Sequence, residues 1–135
     1  WLVDSMVLVA LVNKDHTNHG LAENLFNRIY SEKIHVFISS QNILEYSAVL
    51  TKGYKLAASE VAKSINSLVN DPNFMIIYPN AEAVNEYSDD FPRSSLHPTD
   101  LFLVATMKAN GVGSIITDDR DFGKIKGIKV YNPFI

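Results

Sequence analysis

The chain has 135 residues, 47% of them hydrophobic and 20% charged. That is about one domain's length with an ordinary core-forming composition, and residues 1–135 are expected to fold as a single unit. The formal net charge of −3 argues against a simple electrostatic nucleic-acid binder, which is normally basic. With no cysteine in the chain, disulfides and cysteine-held zinc are excluded. No apolar run nears the ~20 residues of a membrane helix.

Trp1–Val3 reads as a short buried strand ending at Asp4. Ser5–Val12 is apolar nearly throughout and is expected to be helical, capped by Asp4 or Ser5. The opening WLVDSMVLVALV lacks the basic lead of a signal peptide, and a cytoplasmic location is expected. Thr17–Ser31 has helical spacing through Leu21, Leu25, Phe26 and Ile29. His35–Ile38 is rich in strand formers. A helix then starts at Ser39 or Ser40 and runs to about Lys52, stopped by Gly53.

Leu56–Val69 is a further amphipathic helix, ended by Asp71-Pro72. Phe74–Tyr78 is a strand closed by Pro79, and Ala81–Ser88 is helical. The stretch 89–98, with two prolines and two serines, reads as a loop. Thr99–Ala109 is a helix ended by Gly111, Ser114–Thr117 a strand, residues 121–125 one helical turn, and Lys129–Tyr131 a last short strand. Strands alternating with helices predict a three-layer α/β/α sandwich around a parallel sheet of about five strands. Ligands of such sheets bind beyond the carboxyl ends of the strands. Asp4 and Asp119 each follow an apolar strand there.

Four acids stand where apolar residues dominate: Asp4 after WLV, Glu45 in NILEYSAVL, Asp100 in TDLFLVATM, and Asp119 in SIITDDRDF. Each has an ordinary alternative. Asp4 serves equally as a helix cap. Asp100 in a first helical turn complements the helix dipole, yet it shares a face with Leu103, Val104 and Met107. Glu45 lacks a basic partner three or four residues away, where Gln41, Asn42, Ala48 and Val49 stand. Its plain reading is a side chain reaching to solvent. Asp118, Asp119 and Asp121 occupy a turn, where aspartate is common, and at least one of them is expected to be structural. Thr117 ends the strand with a hydroxyl that suits a carboxylate or a phosphate oxygen.

The joint argument is stronger. Two like charges about 4 Å apart repel by roughly 4 kcal/mol at an effective dielectric of about 20. Converging acids therefore protonate or recruit a cation. Oxygen-only ligands favour Mg²⁺ or Mn²⁺, and such ions support phosphodiester cleavage.

Other chemistry is absent from the sequence. There is no glycine-rich phosphate loop and no Gly-x-Ser-x-Gly elbow. His16 and His19 are expected to be solvated, and His35 and His97 are isolated. Arg120, Lys124, Lys126 and Lys129 form a basic run beside the acidic turn. It reads as a solvated face, or more sharply as a contact for a nucleic-acid backbone.

On these residues the chain resembles the PIN domain family, and within it the VapC-type toxin ribonucleases. LVDSMVLVALVNKDHTNH resembles the family's first strand, its Asp followed by Ser or Thr, and the apolar helix after it. ISSQNILEYSAVL resembles the helix that carries the family's glutamate. DLFLVATMKANGVGSIITDDRDF resembles its closing signature of an Asp on a helix and then Thr-x-Asp-x-Asp-Phe.

The resemblance implies that Asp4, Glu45, Asp100 and Asp119 are the metal-holding catalytic quartet. Asp121 would be an accessory acid, and Ser5 and Thr117 polar supports. The doublet Asp118-Asp119 leaves the register open, although the motif selects Asp119. The implied activity is Mg²⁺- or Mn²⁺-dependent endoribonuclease cleavage of RNA through a metal-activated water. A homodimer and a small antitoxin partner of a type II toxin–antitoxin pair are also implied, with no membrane attachment.

The alternative is a housekeeping or catalytically silent PIN-like binding module acting through a protein partner. A phosphohydrolase with an aspartyl nucleophile would need Asp-x-Asp after the first strand, where this chain has Asp4-Ser5-Met6.

Overall fold

The computed structural model describes residues 1–135. Five strands form one parallel sheet: β1 (Leu2–Val3), β2 (Val36–Ser39), β3 (Phe74–Ile77), β4 (Ser114–Ile116) and β5 (Lys129–Tyr131). Their spatial order is β3-β2-β1-β4-β5, and every neighbouring pair is parallel. The chain therefore builds outward from β1 in one direction, through β2 and β3. It then returns to the other side of β1 to add β4 and β5. The point where the order reverses lies between β1 and β4, where open parallel sheets leave a crevice at their carboxyl ends.

Side chains alternate across the sheet, as the pleat requires. Val3, Val36, Ile38, Phe74 and Ile116 join one buried cluster with Val7, Phe26, Ile29, Tyr46, Leu50 and Val61. Those partners come from helices α1 (Ser5–Val12), α2 (His19–Ser31), α3 (Ser40–Ala48), the turn that extends it, and α4 (Ala58–Val69). On the opposite face Leu2, Ile77 and Ile115 pack with Leu103, Val104, Met107, Val112 and Phe122. That layer is built by α6 (Pro98–Ala109), with α5 (Ala81–Asp90) beside it. The expected α/β/α layering is the one observed.

Several boundaries differ from the sequence reading, each for a local reason. The helix expected to reach Lys52 is α-helical only to Ala48, and Val49–Gly53 winds as a π turn. Tyr54 N–H donates to the Val49 carbonyl at 3.0 Å there, five residues back. The stretch read as a loop from residue 89 is partly helical. α5 runs to Asp90 and a 3₁₀ turn follows over Phe91–Arg93, held by Arg93 donating to the Asp89 carbonyl and to Asp90. α6 starts at Pro98, one residue early, because proline suits the first helical position.

Helix α6 ends as its glycine suggested. Val112 N–H reaches the Met107 carbonyl and Gly111 N–H the Lys108 carbonyl. Gly111 takes φ +70 between them, the left-handed value this closing motif demands. The return into β4 thus places Thr117 and the acidic turn next to β1.

Candidate active site

Asp4 follows β1 directly, and its backbone N–H donates to the Ile116 carbonyl of β4 at 3.0 Å. The residue keeps only 9% of its surface exposed. Its carboxylate is held on both oxygens. Ser5 N–H donates to Oδ1 at 2.8 Å, which is the predicted capping role for α1. Asn42 Nδ2 donates to the same oxygen at 3.3 Å, and Thr117 Oγ1 donates to Oδ2 at 2.7 Å. Burial, with the charges of Glu45 and Asp100, pushes the Asp4 carboxyl up to about 6, against the Thr117 and Ser5 hydrogen bonds. A carboxyl that accepts three good donors and still gains proton affinity is under strong desolvation and like-charge stress.

Glu45 stands at the flank of α3. The buried line of that helix and its extension runs through Asn42, Tyr46 and Leu50, while Leu44 and Ala48 are exposed. Although its neighbours in the sequence are largely apolar, Glu45 is not inside that buried stripe. It lies at the border of that stripe, half-buried, with polar partners. Ser5 Oγ donates to Glu45 Oε2 at 3.0 Å, and Gln41 Nε2 donates to Oε1 at 2.9 Å. Ser5 thus joins two acids, giving its N–H to one and its hydroxyl to the other.

Asp100 lies in the first turn of α6, half-buried above Leu103, Val104 and Met107, all of them buried. Burial raises its proton affinity first. The charges of Asp119, Glu45 and Asp121 raise it further, and His97 opposes them. Asp119 caps the 3₁₀ turn Arg120–Lys124 by accepting Asp121 N–H at 2.9 Å. Its own N–H donates to Thr117 Oγ1 at 3.1 Å. Asp118 is exposed and is not among the charges acting on Asp4 or Asp100. Of the doublet, Asp119 is the one turned into the acidic set. Asp121 is exposed and receives Lys124 Nζ at 2.6 Å.

A continuous polar chain therefore runs Glu45–Ser5–Asp4–Thr117–Asp119–Asp121 across the β1/β4 crevice. All four predicted acids act on one another through it or through space. No three of them converge closely enough to form a ready-made cage for an ion. The donor set nevertheless suits a hard divalent cation, being all oxygen and ionising against its own repulsion. Gln41 Oε1, beside Glu45, is a buried acceptor with no protein partner, the kind of atom that a cation or its water satisfies.

Three residues that the sequence showed only as neighbours of Glu45 or as an isolated histidine make contacts around these acids. Asn42 belongs to a capping box, exchanging hydrogen bonds with Ser39, and its free amide nitrogen reaches Asp4. The Ser-x-x-Asn spacing was the available signal. Gln41 also donates to the Thr99 carbonyl at 2.8 Å, tying α3 to α6. His97 caps α6, accepting Thr99 N–H at 3.3 Å. His19, expected to be solvated, is instead partly buried. Its Nδ1 bonds the Ala10 carbonyl at 2.8 Å, and its Nε2 lies 3.3 Å from Glu23.

The PIN domain family model matches residues 1–128. The chain belongs to the PIN domain family. Ribonuclease VapC48 of Mycobacterium tuberculosis is 29% identical over 145 aligned positions, covering 97% of this chain and 95% of that protein. Among solved structures, the DNA-bound VapBC of Salmonella typhimurium superposes with a TM-score of 0.73 at 15% identity, covering 98% and 96% of the two chains. VapC20 of Mycobacterium tuberculosis, described as a sarcin-ricin loop cleaving toxin, superposes with a TM-score of 0.70 at 18% identity, covering 91% and 92%. The PIN fold is thus shared along nearly the whole chain. The acidic crevice of this PIN domain lies where its strand order reverses.

Proposed function

We propose that residues 1–135 act as one nuclease domain, a divalent-metal-dependent endoribonuclease that is the toxin of a type II toxin–antitoxin pair. The observation that carries this reading is the gathering of four acids at the switch point of a PIN sheet, with Ser5 and Thr117 linking three of them. Asp4 and Asp100 are both raised by burial and by neighbouring carboxylates. Such a set is costly unless a cation compensates it. Asp4, Glu45, Asp100 and Asp119 are the residues we assign to hold Mg²⁺ or Mn²⁺. Mg²⁺ typically takes one or two carboxylates and fills its remaining positions with water and substrate phosphate, so a pre-closed cage is not required. When bound, the ion supplies positive charge against the scissile phosphate and lowers the pKa of a nucleophilic water.

The chain's own residues hold the acids in place. Thr117 and Asn42 fix the Asp4 carboxylate from two sides, and Ser5 aligns Glu45 to it. Gln41 orients the other Glu45 oxygen. Asp121 draws Lys124 to the rim, where a cation faces an incoming phosphate. A homodimer and a small antitoxin belong to the same proposal. Support comes from exposed apolar side chains on and just beyond α3 and α5, with Leu44 at 71% and Phe91 at 50% exposure. No helix is long and apolar enough to cross a membrane.

The test is cleavage of a mixed structured and single-stranded RNA pool with Mn²⁺ or Mg²⁺, with EDTA, and with Asp100→Asn. Metal-dependent cutting that the variant loses supports the reading. Wild-type protein that binds Mn²⁺ yet cuts nothing, freed of any partner, would favour the silent binding module.

A further inference from the structure

The net charge of −3 and the acidic crevice raise a question that the nuclease reading does not answer. A polyanion must approach a cluster of carboxylates and stay there. The whole surface offers little general attraction, so the attraction has to be local.

One cavity supplies it. A space of about 260 Å³ lies beside α6, lined by Arg93, Lys108 and Lys124 together with Ser94, Ser95 and apolar side chains. Three cations and one carboxylate, Asp90, stand together in its lining, a grouping of positive side chains in an acidic protein. Each cation already has one carboxylate partner: Arg93 with Asp90 at 3.2 Å and Lys124 with Asp121 at 2.6 Å, both largely exposed, and Lys108 with Glu86 at 3.6 Å, half-buried. Surface pairs of this kind are weak and solvent-screened, so a phosphate can replace or join them. Arg93 spends only Nη2 on Asp89 and Asp90, leaving the rest of its planar fork free. Ser94 Oγ accepts Leu96 N–H at 3.1 Å and keeps its own proton to donate.

The cavity is joined to the acids by two elements. Leu101 in its lining follows Asp100 on α6. Lys124 lines the cavity and also grips Asp121, whose N–H is held by Asp119. Lys124, paired with Asp121 beside the acids, thus shares one lining with Lys108 and Arg93.

We infer that this cavity is a phosphate subsite that holds the RNA backbone next to the scissile phosphodiester. The inference rests on the nuclease reading and gives the substrate a second anchor. Contacts of this class position the backbone and carry no sequence information.

The experiment measures binding of a single-stranded RNA to the Asp100→Asn protein with Mg²⁺ over a range of salt concentrations. It compares that protein with the same protein carrying Arg93→Gln and Lys108→Gln. Lys63→Gln is the charge control, an exposed lysine on α4, which packs on the opposite face of the sheet from α6. Loss of two phosphate contacts flattens the slope of log affinity against log salt by about 1.4, at about 0.7 per contact. Low-salt affinity drops on the order of tenfold, while Lys63→Gln leaves both quantities in place. With Asp100 restored, the loss falls on KM rather than kcat. An unchanged slope and affinity in the double variant would overturn the subsite while leaving the nuclease reading intact. That is also the result expected if the cavity serves an acidic protein segment instead. RNA that the wild-type protein neither binds nor cuts would overturn both.

Discussion

The two walls of the acidic crevice are built differently. On the β1/α3 wall, Asp4 and Glu45 receive side-chain or backbone donors on every carboxylate oxygen, and Asp4 is almost wholly enclosed. On the α6 and β4-turn wall, Asp100 is half-buried and stressed chiefly by burial and neighbouring charge. Asp119 is tied only through its own turn, and Asp121 is paired with an exposed lysine. The first wall orients its carboxylates by its own hydrogen bonds, and the second leaves Asp100 without such a donor. A site assembled this way offers one pre-oriented half for an ion that also meets the other. The four acids thus share one crevice without forming a cage in advance.

The comparison breaks most severely if either wall is dispensable. Asp4→Asn and Asp100→Asn are each expected to reduce RNA cleavage by more than about 10²-fold, beyond the usual loss from a supporting partner of a ligand. Both variants should stay folded by circular dichroism. A variant of either kind that cuts at the wild-type rate sets its wall outside the reaction.

A smaller effect separates the first wall from its supports. Thr117→Val removes the donor to Asp4 Oδ2 and the acceptor of Asp119 N–H together. Metal affinity should fall by roughly 10- to 100-fold, as read by Mn²⁺ calorimetry. Glu45→Gln keeps a neutral oxygen in the same place and should weaken Mn²⁺ binding less than Asp4→Asn does. Unchanged binding would move Glu45 out of the site.

The stability effect is smaller in energy and has a definite sign. The Asp4 carboxyl rises from 3.8 to about 6 in the folded chain. Between those values the native state holds more protons than the unfolded state. This group's contribution is therefore full below about pH 4 and is lost as pH rises through about 6. Without metal at pH 7, Asp4→Asn should raise stability by about 1–2 kcal/mol, less than the full shift implies because Asn matches the donors imperfectly. At pH 4 the gain should vanish. Urea titrations at the two pH values check this, and a gain at pH 4 equal to that at pH 7 would exclude the electrostatic cause.

Much of this was legible in the sequence because it depended on patterns that local physics enforces. The alternation of apolar strands and amphipathic helices predicts the parallel sheet, and Asp4 and Asp119 at strand ends predict the crevice. The π turn at Val49–Gly53 was not legible. The residues there have the same helical spacing whichever ladder they close, and Leu50 is buried in the core in the π winding observed. Reading 89–98 as a loop weighted its prolines and serines. Pro92 falls inside a 3₁₀ turn and Pro98 at the first position of α6, places where proline is welcome. Asn42, Gln41 and His97 look like caps and spacers along the chain. Their reach to the acids appears only once α3, α6 and β1 meet.

The most direct test of the two-wall account is Mn²⁺ titration by calorimetry of wild-type protein, Asp4→Asn, Asp100→Asn and the double variant, without RNA. If both walls grip one ion, each single variant loses most of the affinity and the double variant loses little more than either, because residues sharing a ligand are not additive. If Asp100→Asn binds Mn²⁺ as tightly as wild type, or the two losses simply add, the walls do not share an ion and the account is contradicted.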